Sequence, residues 1–225
     1  MKDSLVGIDY RFQDPQLLRE ALTHRSMGAG NYERLEFLGD SVLNLVVAMR
    51  LYERHPEAPE GDLSRMRARL VRGATLAEVA AGLGLGASVK LGEGELKSGG
   101  FRRASILADA LEAVLGAVFI DGGYEACRDV VLSLFDPLIS KLPDAEELKD
   151  AKTRLQEWLQ ARGRPLPQYR LEREEGADHA KRFHVSVQLQ DDGAQVEAEG
   201  GSRRKAEQAA AAALLETLLQ SAKGQ

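Results

Sequence analysis

The chain is poor in the residues that tie a fold together covalently or anchor it in a membrane. It has one cysteine, Cys127, so no disulfide can form within it. That thiol reads as a small core residue in a reducing, intracellular setting. No apolar run reaches the roughly 20 residues of a transmembrane helix, and Met1 to Tyr10 is charged and lacks the apolar segment of a secretory signal. A soluble, cytoplasmic protein with no membrane partner is expected. Aromatics make up only 5% of the 225 residues, while Ala and Leu abound, which leans toward helix. Cysteine and histidine are too few and too scattered for a zinc set, and His24 and His55 read as structural. Positive charge is not in excess either. The net charge is −5, with 12 Lys/Arg against 11 Asp/Glu in residues 151–225 and 18 against 24 before them. A nucleic-acid site would have to come from local clustering.

What is present is organised in two parts. Asp14 caps a helical run from Gln16 to Ser26 that Pro15 opens. Tyr32 to Arg54 reads as one long helix, apolar nearly all round and therefore central to a core or an interface. Asp62–Val71 and Thr75–Gly82 read as helices, and the polar, glycine-rich stretch from Gly92 to Gly100 as a mobile loop. Ser105 to Ile120 reads as a second core helix that Asp121-Gly122-Gly123 stops, and Tyr124 to Leu142 as an amphipathic one. No strand pattern occurs before residue 165. After a charged linker the pattern changes to helix (Lys152–Arg162), three strands (Gln168–Arg173, Lys181–Leu189, Gln195–Gly200) and an Ala-rich helix from Ser202 to Leu219. In the second strand Phe183, Val185, Val187 and Leu189 alternate with polar residues at period two. The expected fold is multidomain: all-α, then a small α+β unit of order α-β-β-β-α. The divisions fall at residues 1–143, 144–150 (linker) and 151–221.

Both core helices carry acids where a buried face should be. Glu36 and Asp40 are four apart, and Asp109 and Glu112 three apart, so each pair shares a helix face. Carboxylates among Leu, Val and Phe are costly to bury unless a cation compensates. Converging carboxylates suit a hard divalent ion such as Mg²⁺, which makes a metal-dependent hydrolase the first hypothesis. Spacing alone leaves open whether the two helices meet.

The stretch Glu33-Arg34-Leu35-Glu36-Phe37-Leu38-Gly39-Asp40-Ser41 resembles the nine-residue motif of the ribonuclease III family. Matches follow at Ala21–Ser26, Glu60–Ser64, Gly94–Gly100 and Ser105–Asp109, so the resemblance covers nearly the whole chain. It implies an all-α ribonuclease III nuclease domain followed by a double-stranded RNA-binding domain. It implies Glu36, Asp109 and Glu112 as Mg²⁺ ligands, two ions per site during catalysis, with Mn²⁺ able to substitute and no small-molecule cofactor. Asp40 and Glu112 match the family's catalytic acids, and Glu33, Glu60 and Glu95 take supporting roles. The family acts on double-stranded RNA as a homodimer, each subunit cutting one strand to leave 5′-phosphate and 3′-hydroxyl ends in rRNA and mRNA precursors. Phe37 is the expected dimer contact.

In the second unit, Gly200-Gly201-Ser202-Arg203-Arg204-Lys205-Ala206 opens the last helix with three cations at an end that already favours phosphate. By resemblance to double-stranded RNA-binding domains, Gln156, Glu157 and Gln160 meet one minor groove. The loop of Gly176 to His179 meets a second, and Ser202, Arg203, Arg204 and Lys205 hold the phosphates between. Glu207 departs from that pattern, where a lysine is common. A non-catalytic RNA-binding protein with a vestigial nuclease domain is the competing reading, and missing acids would favour it.

Overall fold

A computed structural model of the chain describes residues 5, 7–142, 149–177 and 181–223. Most of the expected linker, and His179, lie outside the described residues. The chain forms two compact units, Met1–Pro143 and Asp144–Gln225. No helix of the described residues is long and apolar enough to cross a membrane.

The first unit is helical: α1 (Pro15–Ala21), α2 (Glu33–Arg54), α3 (Glu60–Leu70), α4 (Gly73–Gly82), α5 (Glu93–Lys97) and α6 (Ala104–Ile139). The Asp14 side chain accepts from Gln16 N at the start of α1, with Pro15 at the first helical position. The helix ends five residues before the expected Ser26. Lys90 N donates to Leu22 O at 2.7 Å and His24 N to Lys90 O at 3.0 Å, so an extended bridge takes the groups another helical turn would use. Arg25–Met27 is then a 3₁₀ turn. The stretch expected as a mobile loop contains α5. Gly92 N donates to Ser26 Oγ at 2.8 Å and an Arg103–Glu95 ion pair at 2.8 Å fastens the turn. In α6 the expected stop is a break at Gly123, whose φ of 77° and ψ of −173° lie outside helix. Asp121 beside it accepts from Tyr10 Oη and Gln13 N at 2.7 Å and from Asp14 N at 2.9 Å, which pins the N-terminal segment there.

The core is the crossing of α2 and α6. Leu43, Val46 and Val47 from α2 and Leu111, Val114, Leu115 and Val118 from α6 are all buried. The backbones touch where both helices carry glycine. A Cβ on Gly39 would lie 1.7 Å from Glu112 O, and one on Gly116 would lie 2.1 Å from Leu35 O. Only glycine permits this approach.

The second unit has α7 (Ala151–Gln160), β1 (Gln168–Glu175), β2 (Arg182–Gln188), β3 (Gln195–Gly200) and α8 (Arg203–Lys223). The strands form one antiparallel sheet in the order β1-β2-β3, with Val185 opposite Leu171 and Ala198. Val187 of β2 packs with Leu155 and Leu159 of α7 and Ala210, Ala211 and Leu214 of α8. The period-two pattern thus supplies the face under the helices.

Candidate functional site

The α2–α6 crossing decides where the acids go. Glu36 precedes Gly39 by less than one turn, and Glu112 precedes Gly116 by little more than one. The close backbone approach therefore brings both helix faces together. Glu36, Asp109 and Glu112 offer ligand oxygens that all lie within 4.8 Å of one another, and each residue is half-buried. Burial first, then the charges of Asp40, Asp109 and Glu36, push the Glu112 carboxyl up to about 8 from the usual 4.5. Glu36 is raised by burial and by the charges of Asp109 and Glu33. Asp109 is also raised by burial, against the opposing effect of a hydrogen bond from Tyr32.

Three crowded carboxylates repel one another, and the nearby charge of Arg25, which acts on Glu36 and Asp109, does not offset their burial. The donors are all hard oxygens, with no thiolate or imidazole among them, and their span suits one small cation. The set fits Mg²⁺ or Mn²⁺ and does not fit zinc.

The other expected acids lie apart from this triple. Asp40 is exposed one turn beyond Glu36, and its Oδ1 accepts from Asn44 Nδ2 at 2.8 Å. It lies outside the set whose oxygens all approach one another, yet of the neighbouring charges its own acts most strongly on Glu112. Glu33 is exposed at the start of α2, with Arg25 3.8 Å away. Glu95 is half-buried in its ion pair with Arg103. Glu60 accepts from Ser64 Oγ at 2.6 Å and lines a separate groove with Met49, Tyr52 and Leu63. Phe37 is no core residue: it is 78% exposed on α2 and shares a concave patch with Arg34, Leu38 and Ile120.

Tyr32 has no role in the sequence reading. It is 1% exposed, and its hydroxyl donates to Asp109 Oδ2 at 3.3 Å. His24 packs edge-on against its ring at a centroid distance of 5.5 Å. Burial lowers the His24 pKa, and His24 Nδ1 accepts from Ser26 N at 3.1 Å. The one available signal is spacing: Tyr32 lies four before Glu36 and so on the same face of a helix extended by one residue.

On the second unit, Gln156, Glu157 and Gln160 all lie on the exposed side of α7. Glu157 Oε2 accepts from Lys149 Nζ at 2.6 Å. At the start of α8, Ser202 Oγ accepts from Lys205 N at 3.2 Å. Arg203, Arg204 and Lys205 are exposed, and Ala206 and Ala210 are buried on the opposite side. Gly200 sits so close to this turn that a Cβ would lie 2.5 Å from Ala206 N.

Comparison with known proteins agrees with both units. Residues 14–138 match the family model described as ribonuclease-III-like, and residues 151–218 match the double-stranded RNA binding motif. The chain is 54% identical over 218 residues to ribonuclease 3 of Alkalilimnicola ehrlichii, covering 96% of each. It is 57% identical over 205 residues to that of Thiobacillus denitrificans, covering 91% of each. Among solved structures, the nuclease domain of ribonuclease III from Campylobacter jejuni superposes with a TM-score of 0.57 at 41% identity. That match covers 60% of this chain and 92% of that one. A paired-helix acid cluster, a sheet-backed RNA-binding motif and relatives alike end to end place the chain in the ribonuclease III family of endoribonucleases.

Proposed function

We propose that the chain is an Mg²⁺-dependent endonuclease that cuts both strands of an RNA duplex as a homodimer. The observation that carries this reading is the convergence of Glu36, Asp109 and Glu112 at the α2–α6 crossing. These three would hold the cation, two ions being engaged during catalysis. Bound Mg²⁺ at such a site supplies Lewis acidity and an activated water for attack on a phosphodiester. Glu112, held protonated near neutral pH by burial first and then by the charges of its neighbours, releases its proton when positive charge enters the site. Asp40, exposed at the rim, orients the attacking water together with Glu112. Glu33, Glu60 and Glu95 support the surrounding structure and do not enter the chemistry.

Residues 1–143 would form the nuclease domain and residues 151–221, after a linker at 144–150, the RNA-binding domain. Gln156, Glu157, Gln160, His179, Ser202, Arg203, Arg204 and Lys205 are the proposed RNA contacts. Phe37, a large apolar side chain left in water, is the proposed contact with a second copy. One of the Campylobacter jejuni nuclease-domain structures is described in terms of a region involved in dimer formation. A twofold pair of sites accounts for a staggered cut with one site per chain. Substrates would be structured precursors of rRNA and mRNA, met in the cytoplasm.

The test is digestion of a perfectly paired RNA duplex with Mg²⁺ and with EDTA, followed by analysis of the ends. Staggered products with 5′-phosphate and 3′-hydroxyl termini only in Mg²⁺ are expected. Cleavage in EDTA, or 2′,3′-cyclic phosphate ends, would exclude the reading.

A further inference from the structure

The cationic turn of α8 is not left to itself. Glu207 follows it by one helical turn, with its side chain 15% exposed. Its Oε1 accepts from Arg203 Nε at 3.0 Å, and its Oε2 accepts from Lys152 Nζ at 2.8 Å. Lys152 comes from α7, and its ammonium also stands 4.2 Å over the ring of Tyr169 on β1. One carboxylate therefore engages two cations from two helices beside the proposed RNA surface. Its pKa lies below the usual range, chiefly through the Lys152 hydrogen bond, then through that of Arg203. Arg204 and Lys205 differ: among the described residues neither forms an ion pair, although Arg204 lies near enough to Asp150 to lower its pKa.

We propose that Glu207 restrains duplex binding by holding Arg203 and Lys152, so that Arg204 and Lys205 carry the phosphate contact. This rests on the reading of the second unit as an RNA-binding domain and specifies how its charge is set. The restraint is graded. Arg203 is 61% exposed in a surface ion pair, which phosphate can compete for, while the negative charge of Glu207 stays beside the incoming backbone. Each added phosphate contact steepens the dependence of log K on log salt by about 0.9 on the scale set by DNA.

The experiment uses the full chain in EDTA, so that the duplex is not cut. The probe is a labelled RNA duplex of about 30 base pairs, longer than the roughly 16 that one such domain spans. Dissociation constants are read by fluorescence anisotropy over a series of KCl concentrations. Glu207→Gln is expected to bind about three- to tenfold more tightly at 0.1 M salt, with a salt slope steeper by about one. Arg203→Gln in the otherwise unchanged chain should weaken binding less than Arg204→Gln does, and should cost more in the Glu207→Gln background. Unchanged or weaker binding by a folded Glu207→Gln chain overturns the proposal. Should that variant not fold, the Arg203→Gln and Arg204→Gln comparison decides alone, and equal losses overturn the proposal. A parent chain that fails to bind the duplex overturns the RNA-binding reading itself, an outcome distinct from the others.

Discussion

Gly116→Ala tests whether the backbone contact between α2 and α6 builds the acid cluster. The added methyl carbon would lie 2.1 Å from Leu35 O and 3.1 Å from Gly39 N, where ordinary contact begins near 3.4 Å. Both neighbours are backbone atoms inside helices, so neither can swing aside. The helices must part by about 1.3 Å, the difference between contact and clash at Leu35 O. Overpacking of this kind costs ~1–3 kcal/mol, which lowers Tm by several degrees. The larger effect falls on chemistry. Ligand oxygens opposite each other around Mg²⁺ stand about 4.2 Å apart, from Mg–O distances near 2.1 Å. The three carboxylates already span up to 4.8 Å, and a further separation of more than 1 Å takes Glu36 out of reach of an ion held by Asp109 and Glu112. A misplacement of that size costs about 100-fold in rate. Single-turnover cleavage of a duplex, with a thermal melt of the same sample, measures both effects. Gly82→Ala, where a Cβ meets open space at the end of α4, is the control and should be neutral. A Gly116→Ala chain that cuts within threefold of the parent would refute the dependence of the site on the crossing.

Three further outcomes are expected. Between pH 4.5 and about 8 the folded, metal-free protein keeps a proton on Glu112 that the unfolded chain has released, so stability falls as pH rises through that window. The loss is about 2 kcal/mol after allowance for partial exposure, and it should flatten in Glu112→Gln when urea melts in EDTA are compared at pH 5 and 8. Tyr32→Phe removes the hydroxyl that donates to Asp109 and should raise the Mg²⁺ concentration needed for half-maximal thermal stabilisation several-fold, with duplex affinity in EDTA unchanged. Phe37→Glu exchanges a side chain 78% exposed in the single chain. It should leave secondary structure intact while sedimentation shows a monomer, and an unchanged dimer would exclude Phe37 from the interface.

Much of the fold was legible because it is written in local pattern. Asp14-Pro15 marks a helix start, Gly123 a break, and the alternation from Phe183 to Leu189 a strand, although His184 and Ser186 between the apolar positions are buried as well. The acids stood out because Glu36, Asp109 and Glu112 interrupt apolar helices. What the pattern could not show is pairing between distant segments. Nothing local distinguishes Gly39 and Gly116, which must be bare for two backbones to touch, from Gly28 or Gly73, which face open space. The bridge of Thr23 to Lys90 ends α1 early, and the contact of Gly92 to Ser26 orders the start of α5, both across many residues of sequence. Tyr32 escapes notice for the same reason: its partner Asp109 is 77 residues away. Helical spacing joined Asp40 to Glu36; Asp40 is exposed outside the closest triple, yet its charge acts on Glu112 across the crossing, which spacing within α2 could not show.

The measurement closest to the central claim compares the parent chain with Glu112→Gln on one RNA duplex, reading binding in EDTA and cleavage in Mg²⁺ from the same preparation. Removing one carboxylate oxygen from the triple should abolish cleavage and leave the dissociation constant nearly unchanged. A Glu112→Gln chain that cuts at the parent rate would show that the acids at the α2–α6 crossing are not the catalytic centre.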